Sequence, residues 1–253
     1  CFAWGFVYLA LYPGLGKFDG LLGWKSSNQD VQSLEESRAA MKASQDDGSI
    51  VQYDREVRDA EEEFGPIFEA YAKTPIPELI KNEDALEVGQ RLFLQNCSQC
   101  HGSNAMGGRG FPNLTDDDWL YGGTPHDIKT TLLNGRQGNM PAWGEQFSDQ
   151  EITELANYVA SLSGRERDPE LVAAGKKNFA VCSACHGPNG KGNQQLGAPN
   201  LTDNVWLYGG SIATIEETLH YGRNGVMPAW KDILGEDKIH VVSAYIYSLS
   251  HDE

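Results

Sequence analysis

The alternation of apolar and polar positions divides the chain into three stretches of different character. From Cys1 to Tyr12 no residue is charged, and Pro13-Gly14 follow. A bilayer-spanning helix needs roughly 20 apolar residues. The stretch is therefore expected to be the last part of a transmembrane helix, with Trp4, Tyr8 and Tyr12 nearing the interface. Residues 1–27 are assigned to this anchor and its membrane-proximal continuation through Phe18, Leu21, Leu22 and Trp24. Residues 28–85 read as an acidic helical spacer, with helices over Val31–Lys42 and Val51–Lys73. In the second, Tyr53, Val57, Ala60, Phe64, Ile67, Phe68 and Tyr71 recur at spacings of three and four, which makes one packing face. Pro66 interrupts that pattern as a kink or a second start, and Thr74-Pro75-Ile76-Pro77 closes it.

Beyond residue 85 the periodicity repeats. Amphipathic helices are expected over Leu86–Asn96 and Leu171–Val181, and shorter ones over Asp127–Leu133 and Ile212–His220. The capping box Ser148-Asp149-Gln150-Glu151 opens a helix with Ile152, Leu155, Ala156, Val159 and Leu162 on one face. Its counterpart carries Ile239, Val242, Ile246 and Leu249. Each such terminal helix is expected to cross the helix that leads its module. The modules are bounded at 86–163 and 171–253, with a linker at 164–170.

Local sequence repeats along with the periodicity. Pro112-Asn113-Leu114-Thr115, Trp119-Leu120-Tyr121-Gly122-Gly123, Gly135-Arg136 and Met140-Pro141-Ala142-Trp143 return as Pro199-Asn200-Leu201-Thr202, Trp206-Leu207-Tyr208-Gly209-Gly210, Gly222-Arg223 and Met227-Pro228-Ala229-Trp230. Upstream of each series stands Cys-x-x-Cys-His: Cys97, Cys100 and His101, then Cys182, Cys185 and His186. Two thiols and a histidine at this spacing are the attachment signature of a c-type haem, in which the thiols form thioethers and the imidazole reaches the iron. Two covalent haems are expected.

A second axial ligand is offered at the same place in each copy, Met140 and Met227. The proline after each methionine favours extended backbone, which suits a strap across a ring face. His126 and His220 are weaker rivals, since neither has a His counterpart in the other copy, and so is Met106, which lies in the glycine-rich loop on the proximal side. The sequence leaves open whether each methionine serves its own module or the neighbouring one, because a pseudo-twofold pair can exchange straps. Arg136, Arg223, Trp119 and Trp206 are candidate contacts to haem propionates, with Tyr121 and Tyr208 beside them. The glycine-rich loops Gly107–Gly110 and Gly190–Gly192 are expected to wrap the rings.

Charge narrows the partners. The net charge of −16, with 15 acids against 6 bases in residues 28–85, excludes a nucleic-acid partner and suits steering toward a basic redox protein. Four of the five cysteines belong to the haem motifs, so Cys1 alone is left over and no disulfide framework is expected. No nucleophile triad, phosphate loop or open metal site is evident, so no catalytic residue is assigned.

The Tyr12-Pro13-Gly14 segment, the acidic spacer and the paired CxxCH, PNLT, WLYGG and MPAW motifs together resemble the dihaem cytochrome c subunit of the cbb3-type cytochrome c oxidases. The resemblance implies an all-α fold of two tandem class I cytochrome c domains behind a membrane anchor and a helical spacer. It also implies a bacterial inner-membrane protein with its haem domains in the periplasm. Electrons would enter from soluble or membrane-bound cytochromes c and leave through a monohaem cytochrome c subunit toward an oxygen-reducing catalytic subunit. By itself such a chain is not an enzyme. A soluble dihaem electron shuttle and a dihaem peroxidase are the alternatives.

Overall fold

The computed structural model describes residues 2–11, 36, 39, 42 and 52–251. Cys1 and nearly all of the helix expected over Val31–Lys42 lie outside the described residues. The chain forms two compact units, residues 1–66 and 67–253.

In the first unit, α1 (Phe2–Leu11) is apolar throughout, so it has no polar face to turn to water. Among the described residues no helix is long and apolar enough to cross a membrane. Helix α2 (Gln52–Ala72) contains Pro66 within its length, at the position where the two units meet in sequence. Among the described residues of its expected packing face, cover comes toward the far end. Val57, Phe64 and Ile67 are exposed, whereas Tyr71 packs with Ile76, Leu79, Ala85 and Ala244.

In the second unit, the short helix α3 (Ile76–Leu79) precedes the two repeats. The first contains α4 (Glu83–Asn96), α5 (Ser98–His101), α6 (Pro125–Asn134), strand β1 (Arg136–Met140) and α7 (Asp149–Leu162). The second contains α8 (Pro169–Asn178), α9 (Ser183–His186), α10 (Ile212–Tyr221), β2 (Arg223–Met227) and α11 (Lys231–Ser248). Caps account for most boundaries. The side chains of Asn82, Thr124, Asp168 and Ser211 each accept from a first-turn amide, and Ser148 with Glu151 forms a reciprocal capping box. The Asn82 cap starts α4 ahead of the expected Leu86. Helix α8 stops short of the expected Val181, because its last turn tightens into a 3-10 segment at Phe179–Val181. Gly235, at φ 75° and ψ 166°, breaks α11 near its start, and the buried run from Ile239 to Ala244 follows.

Two features depart from the all-α picture of tandem modules. The straps bearing the methionines pair with each other as an antiparallel ladder, Arg136 opposite Met227, Gly138 opposite Gly225 and Met140 opposite Arg223. Its register is symmetric about the Gly138–Gly225 pair, which places a local twofold axis there. The terminal helices also do not cross their own leading helices. Helix α11 packs against α4 and α6, while α7 packs against α8 and α10. One core therefore joins Phe93, Cys97, Leu114, Ile128 and Leu132 to Ile239, Val242 and Ile246; the other joins Ile152, Leu155, Ala156 and Val159 to Phe179, Ile215 and Leu219.

Connection length explains the exchange. Only residues 163–168 separate α7 from α8, and so short a link closes at little entropic cost, favouring contact between the helices it joins. Matching aromatic pairs seal both junctions. Phe93 meets Tyr245 with ring centroids 5.5 Å apart, and Phe179 meets Tyr158 at 5.1 Å.

Candidate functional site

Each CxxCH motif is a single helical turn that follows its first cysteine and is ended by a glycine at positive φ, Gly102 at 77° and Gly187 at 76°. The turn brings both thiols and the imidazole to one side over a short length of chain. Both histidines are buried, and each Nδ1 bonds a proline carbonyl: His101 to Pro112 O at 3.1 Å and His186 to Pro199 O at 3.1 Å. As the donor to a carbonyl, Nδ1 carries the proton, which leaves Nε2 as the free lone pair. Burial lowers the pKa of both imidazoles, against the opposing pull of the proline carbonyl, so the neutral, ligating form is favoured. Burial, with a smaller contribution from Cys100, pushes the Cys97 thiol up to about 11; Cys182 is raised by burial and Cys185 in the same order.

Both motifs line one continuous cavity of about 830 Å³. That size is in the range of cofactor sites. Met140, Met227, Arg136, Arg223, Trp119 and Trp206 line it too, together with Tyr121 and Tyr208. The rival ligands do not. Met106 and His126 are exposed away from the cavity, and His220 lies 3.7 Å from the Asp149 carboxylate.

The methionines are distributed across the repeats. Met227 packs against the core that holds Cys97, and Met140 against the core that holds Phe179, beside Cys182. Backbone bonds hold the straps there, Trp230 N donating to Leu132 O at 2.9 Å and Trp143 N to Leu219 O at 2.8 Å.

Several buried donors in the cavity wall have no acceptor: Trp119 Nε1, Trp206 Nε1, Tyr121 OH and Arg223 Nη2. Leaving such a group unpaired costs about 1–3 kcal/mol. An acceptor-rich, anionic edge on an otherwise apolar ligand would satisfy all four, and carboxylates on a planar ring have that chemistry. The residues present thus fit a carboxylated porphyrin.

The arginines are held by partners that periodicity alone did not reveal. Arg136 Nε donates to Thr131 Oγ1 at 2.9 Å and Arg223 Nε to Thr218 Oγ1 at 2.9 Å. Each guanidinium also lies over a tyrosine, Arg136 over Tyr121 at 4.8 Å and Arg223 over Tyr208 at 4.6 Å. The sign of this in the sequence was a threonine at the same distance before each Gly-Arg. The carbonyls of Pro112 and Pro199 were likewise hidden in the repeated PNLT, because a backbone acceptor leaves no residue-type signature.

The two loops that follow the histidines interlock. Gly110 N donates to Leu207 O at 2.8 Å, and Gln194 Nε2 to Trp119 O at 3.1 Å. Gly197, at φ 66°, faces Tyr121 so closely that a Cβ would come within 2.2 Å of the ring.

The chain is similar to known proteins. A family model described as cytochrome c oxidase, cbb3-type, subunit III matches residues 84–159 and 170–246. The cbb3-type cytochrome c oxidase subunit CcoP of Rubrivivax gelatinosus is 41% identical over 98% of this chain and 74% of its own length. Subunit FixP of Azorhizobium caulinodans is 38% identical over 97% and 82%, and subunit CcoP of Cereibacter sphaeroides is 36% identical over 99% and 85%.

Proposed function

The chain belongs to the family of subunit III of the cbb3-type cytochrome c oxidases, and from that premise we propose the role of each part of it. It is the electron-transfer subunit of such an oxidase, taking electrons from periplasmic cytochromes c and relaying them toward the oxygen-reducing subunit by way of a monohaem subunit. The observation that carries this reading is the single cavity lined by two CxxCH motifs, each with its imidazole already in the ligating tautomer.

Cys97 and Cys100 would tether one haem and Cys182 and Cys185 the other, with His101 and His186 as the proximal iron ligands and Met140 and Met227 as the distal ones. Bound there, the two haems supply reversible one-electron iron chemistry. The protein's part is to hold, orient and shield. Trp119, Trp206, Arg136 and Arg223 would bond the propionates, which answers the unpaired donors in the wall. With an imidazole and a thioether to hold each iron, no position would be left for oxygen or peroxide, so the chain would conduct without catalysing. Because both motifs open on one cavity, an electron need not cross a protein wall between them.

The apolar α1, with Phe2 91% and Trp4 75% exposed, is read as part of the membrane anchor of the haem domains in the bacterial inner membrane, on the periplasmic side. The acidic surface suits a basic cytochrome donor.

The test is made on the oxidase in its membrane. Pyridine haemochrome assay of the purified chain should give two covalent haems. Replacing Cys97 and Cys100 by Ala should cut oxygen uptake driven by reduced cytochrome c at least tenfold. Undiminished uptake, or recovery of the full-length protein in the soluble fraction free of oxidase subunits, overturns the proposal.

A further inference from the structure

Each WLYGG segment is gripped by a loop of the repeat to which it does not belong. Gln194 Nε2 of the second repeat donates to Trp119 O at 3.1 Å, and Gly110 N of the first donates to Leu207 O at 2.8 Å. Resting on the reading that two c-type haems are attached, we propose that the tyrosines of these segments are crossed anchors. The Tyr121 hydroxyl donates to a carboxylate of the haem on Cys182 and Cys185, and the Tyr208 hydroxyl to a carboxylate of the haem on Cys97 and Cys100.

Three observations carry the crossing. The rings lie on the opposite proximal loops: a Cβ on Gly197 would stand 2.2 Å from Tyr121 Cζ, and one on Gly110 3.3 Å from Tyr208 Cε1. Each glycine stands two residues before the proline whose carbonyl holds the imidazole of that loop, Pro199 for His186 and Pro112 for His101. The hydroxyls, in turn, are carried toward the centre of the ladder. A Cβ on Gly138 would lie 3.1 Å from Tyr121 OH and one on Gly225 3.8 Å from Tyr208 OH, and these two glycines face each other in β1 and β2. Finally, Tyr121 OH is buried in the cavity wall with no acceptor among the described residues. A phenol so placed costs about 1–3 kcal/mol, which a carboxylate acceptor on the attached ring would remove.

The tryptophans of the same segments go the other way. Trp119 packs against the core that holds Cys97, and Trp206 against the core beside which Cys182 lies. Residues two apart in sequence thus reach different sites. Arg136 over Tyr121 at 4.8 Å and Arg223 over Tyr208 at 4.6 Å hold each ring in place by attraction to its face. Through one short segment, the carboxylate of one haem is tied to the packing around the other.

The test follows the two couples separately in the full two-haem chain. With Cys182→Ala the second haem keeps one thioether and a free vinyl group, so its absorption moves to longer wavelength; Cys97→Ala labels the first haem in the same way. Adding Tyr121→Phe removes the hydroxyl and keeps the ring. A carboxylate that has lost a donor weighs more negatively on its iron, so the midpoint potential of the second haem should fall and that of the first should stay. Tyr208→Phe should do the reverse. A fall in the couple of the tyrosine's own repeat, equal shifts of both couples, or a changed urea midpoint with no shift of potential overturns the crossing, as does no change at all. Should the labelled chains not mature, the unlabelled chain decides. There Tyr121→Phe and Trp206→Phe should move one couple, and Tyr208→Phe and Trp119→Phe the other; a tyrosine and tryptophan of one segment acting on one couple overturns the proposal. Failure of the unaltered chain to bind two haems would instead remove the reading beneath it, so the two failures are told apart.

Discussion

The His101 and His186 sites are built from equivalent parts in equivalent contacts, yet the polar residues around them differ. Arg223 is gripped by Glu217, whose two oxygens reach Arg223 Nη1 at 2.9 Å and Arg109 Nη2 at 2.7 Å. At the matching position beside Arg136 stands Thr130, without a carboxylate. A second difference sits where α6 meets α11 and α10 meets α7. There Lys129 Nζ contacts His240 Nδ1 at 3.1 Å in one case, and Thr153 Oγ1 donates to Glu216 Oε1 at 2.8 Å in the other. Apolar geometry has stayed equal between the copies while charge has diverged. On the proposed reading the shared skeleton would hold two rings alike, and the charges around it are what would make two chemically similar irons differ in potential.

Breaking the shared part should have the largest effect. Phe93 and Phe179 are both buried, each against a tyrosine of the other repeat. Either Phe→Ala change should cost about 3–5 kcal/mol in chemical denaturation. Because the cores are interwoven, each should lower the stability of the whole of residues 67–251 in one transition. Two separate transitions, with only one displaced, would show the repeats to be independent.

The charge difference can be sharpened next. Removing the carboxylate with Glu217→Gln should raise the midpoint potential of one haem couple, because a nearby negative charge that favoured the oxidised, more positive state is lost. Thr130→Glu should lower the potential of the other couple by the same logic. Spectropotentiometric titration checks both. Equal shifts of the two couples in either variant would contradict the assignment of each arginine to one site.

A smaller, pH-dependent effect should separate the two junctions. His240 is buried, its Nε2 donating to Thr74 O at 2.8 Å and its Nδ1 facing Lys129, with Asp237 also nearby. Burial lowers its pKa from 6.5; the Thr74 carbonyl opposes this, Lys129 adds to the lowering and Asp237 opposes it. The unfolded chain therefore binds the proton first. The contribution of neutral His240 is complete above about pH 6.5 and falls as the pH drops toward the depressed folded value. The stability difference between the unaltered chain and His240→Gln should shrink through that window, measured as urea midpoints from pH 8 to pH 5. Thr153→Val, at the equivalent place, should show no such trend.

Local chemistry was readable without coordinates wherever neighbours in sequence are neighbours in space. The CxxCH turns, the Ser148 capping box and the extended backbone ahead of Pro141 and Pro228 are of that kind. The choice of partner was not. Phe93 can meet Tyr158 or Tyr245 with the same chemistry, and Met140 and Met227 are flanked by the same Pro-Ala-Trp, so the repeat that reveals the modules also makes their pairings degenerate. Only the brevity of residues 163–168 tilts the choice toward contact between α7 and α8. The tie between His240 and the Thr74 carbonyl was invisible for another reason: its acceptor is backbone, and its partners lie far apart in sequence.

The interwoven build is tested most directly by cutting the chain once. A protease site placed within residues 166–168 of the two-haem protein would sever the repeats between α7 and α8. Under non-denaturing conditions the two haem-bearing fragments should elute together with an unchanged spectrum and part only in denaturant. Separation in buffer into two single-haem pieces, each keeping its sulfur-to-iron band, would contradict the account.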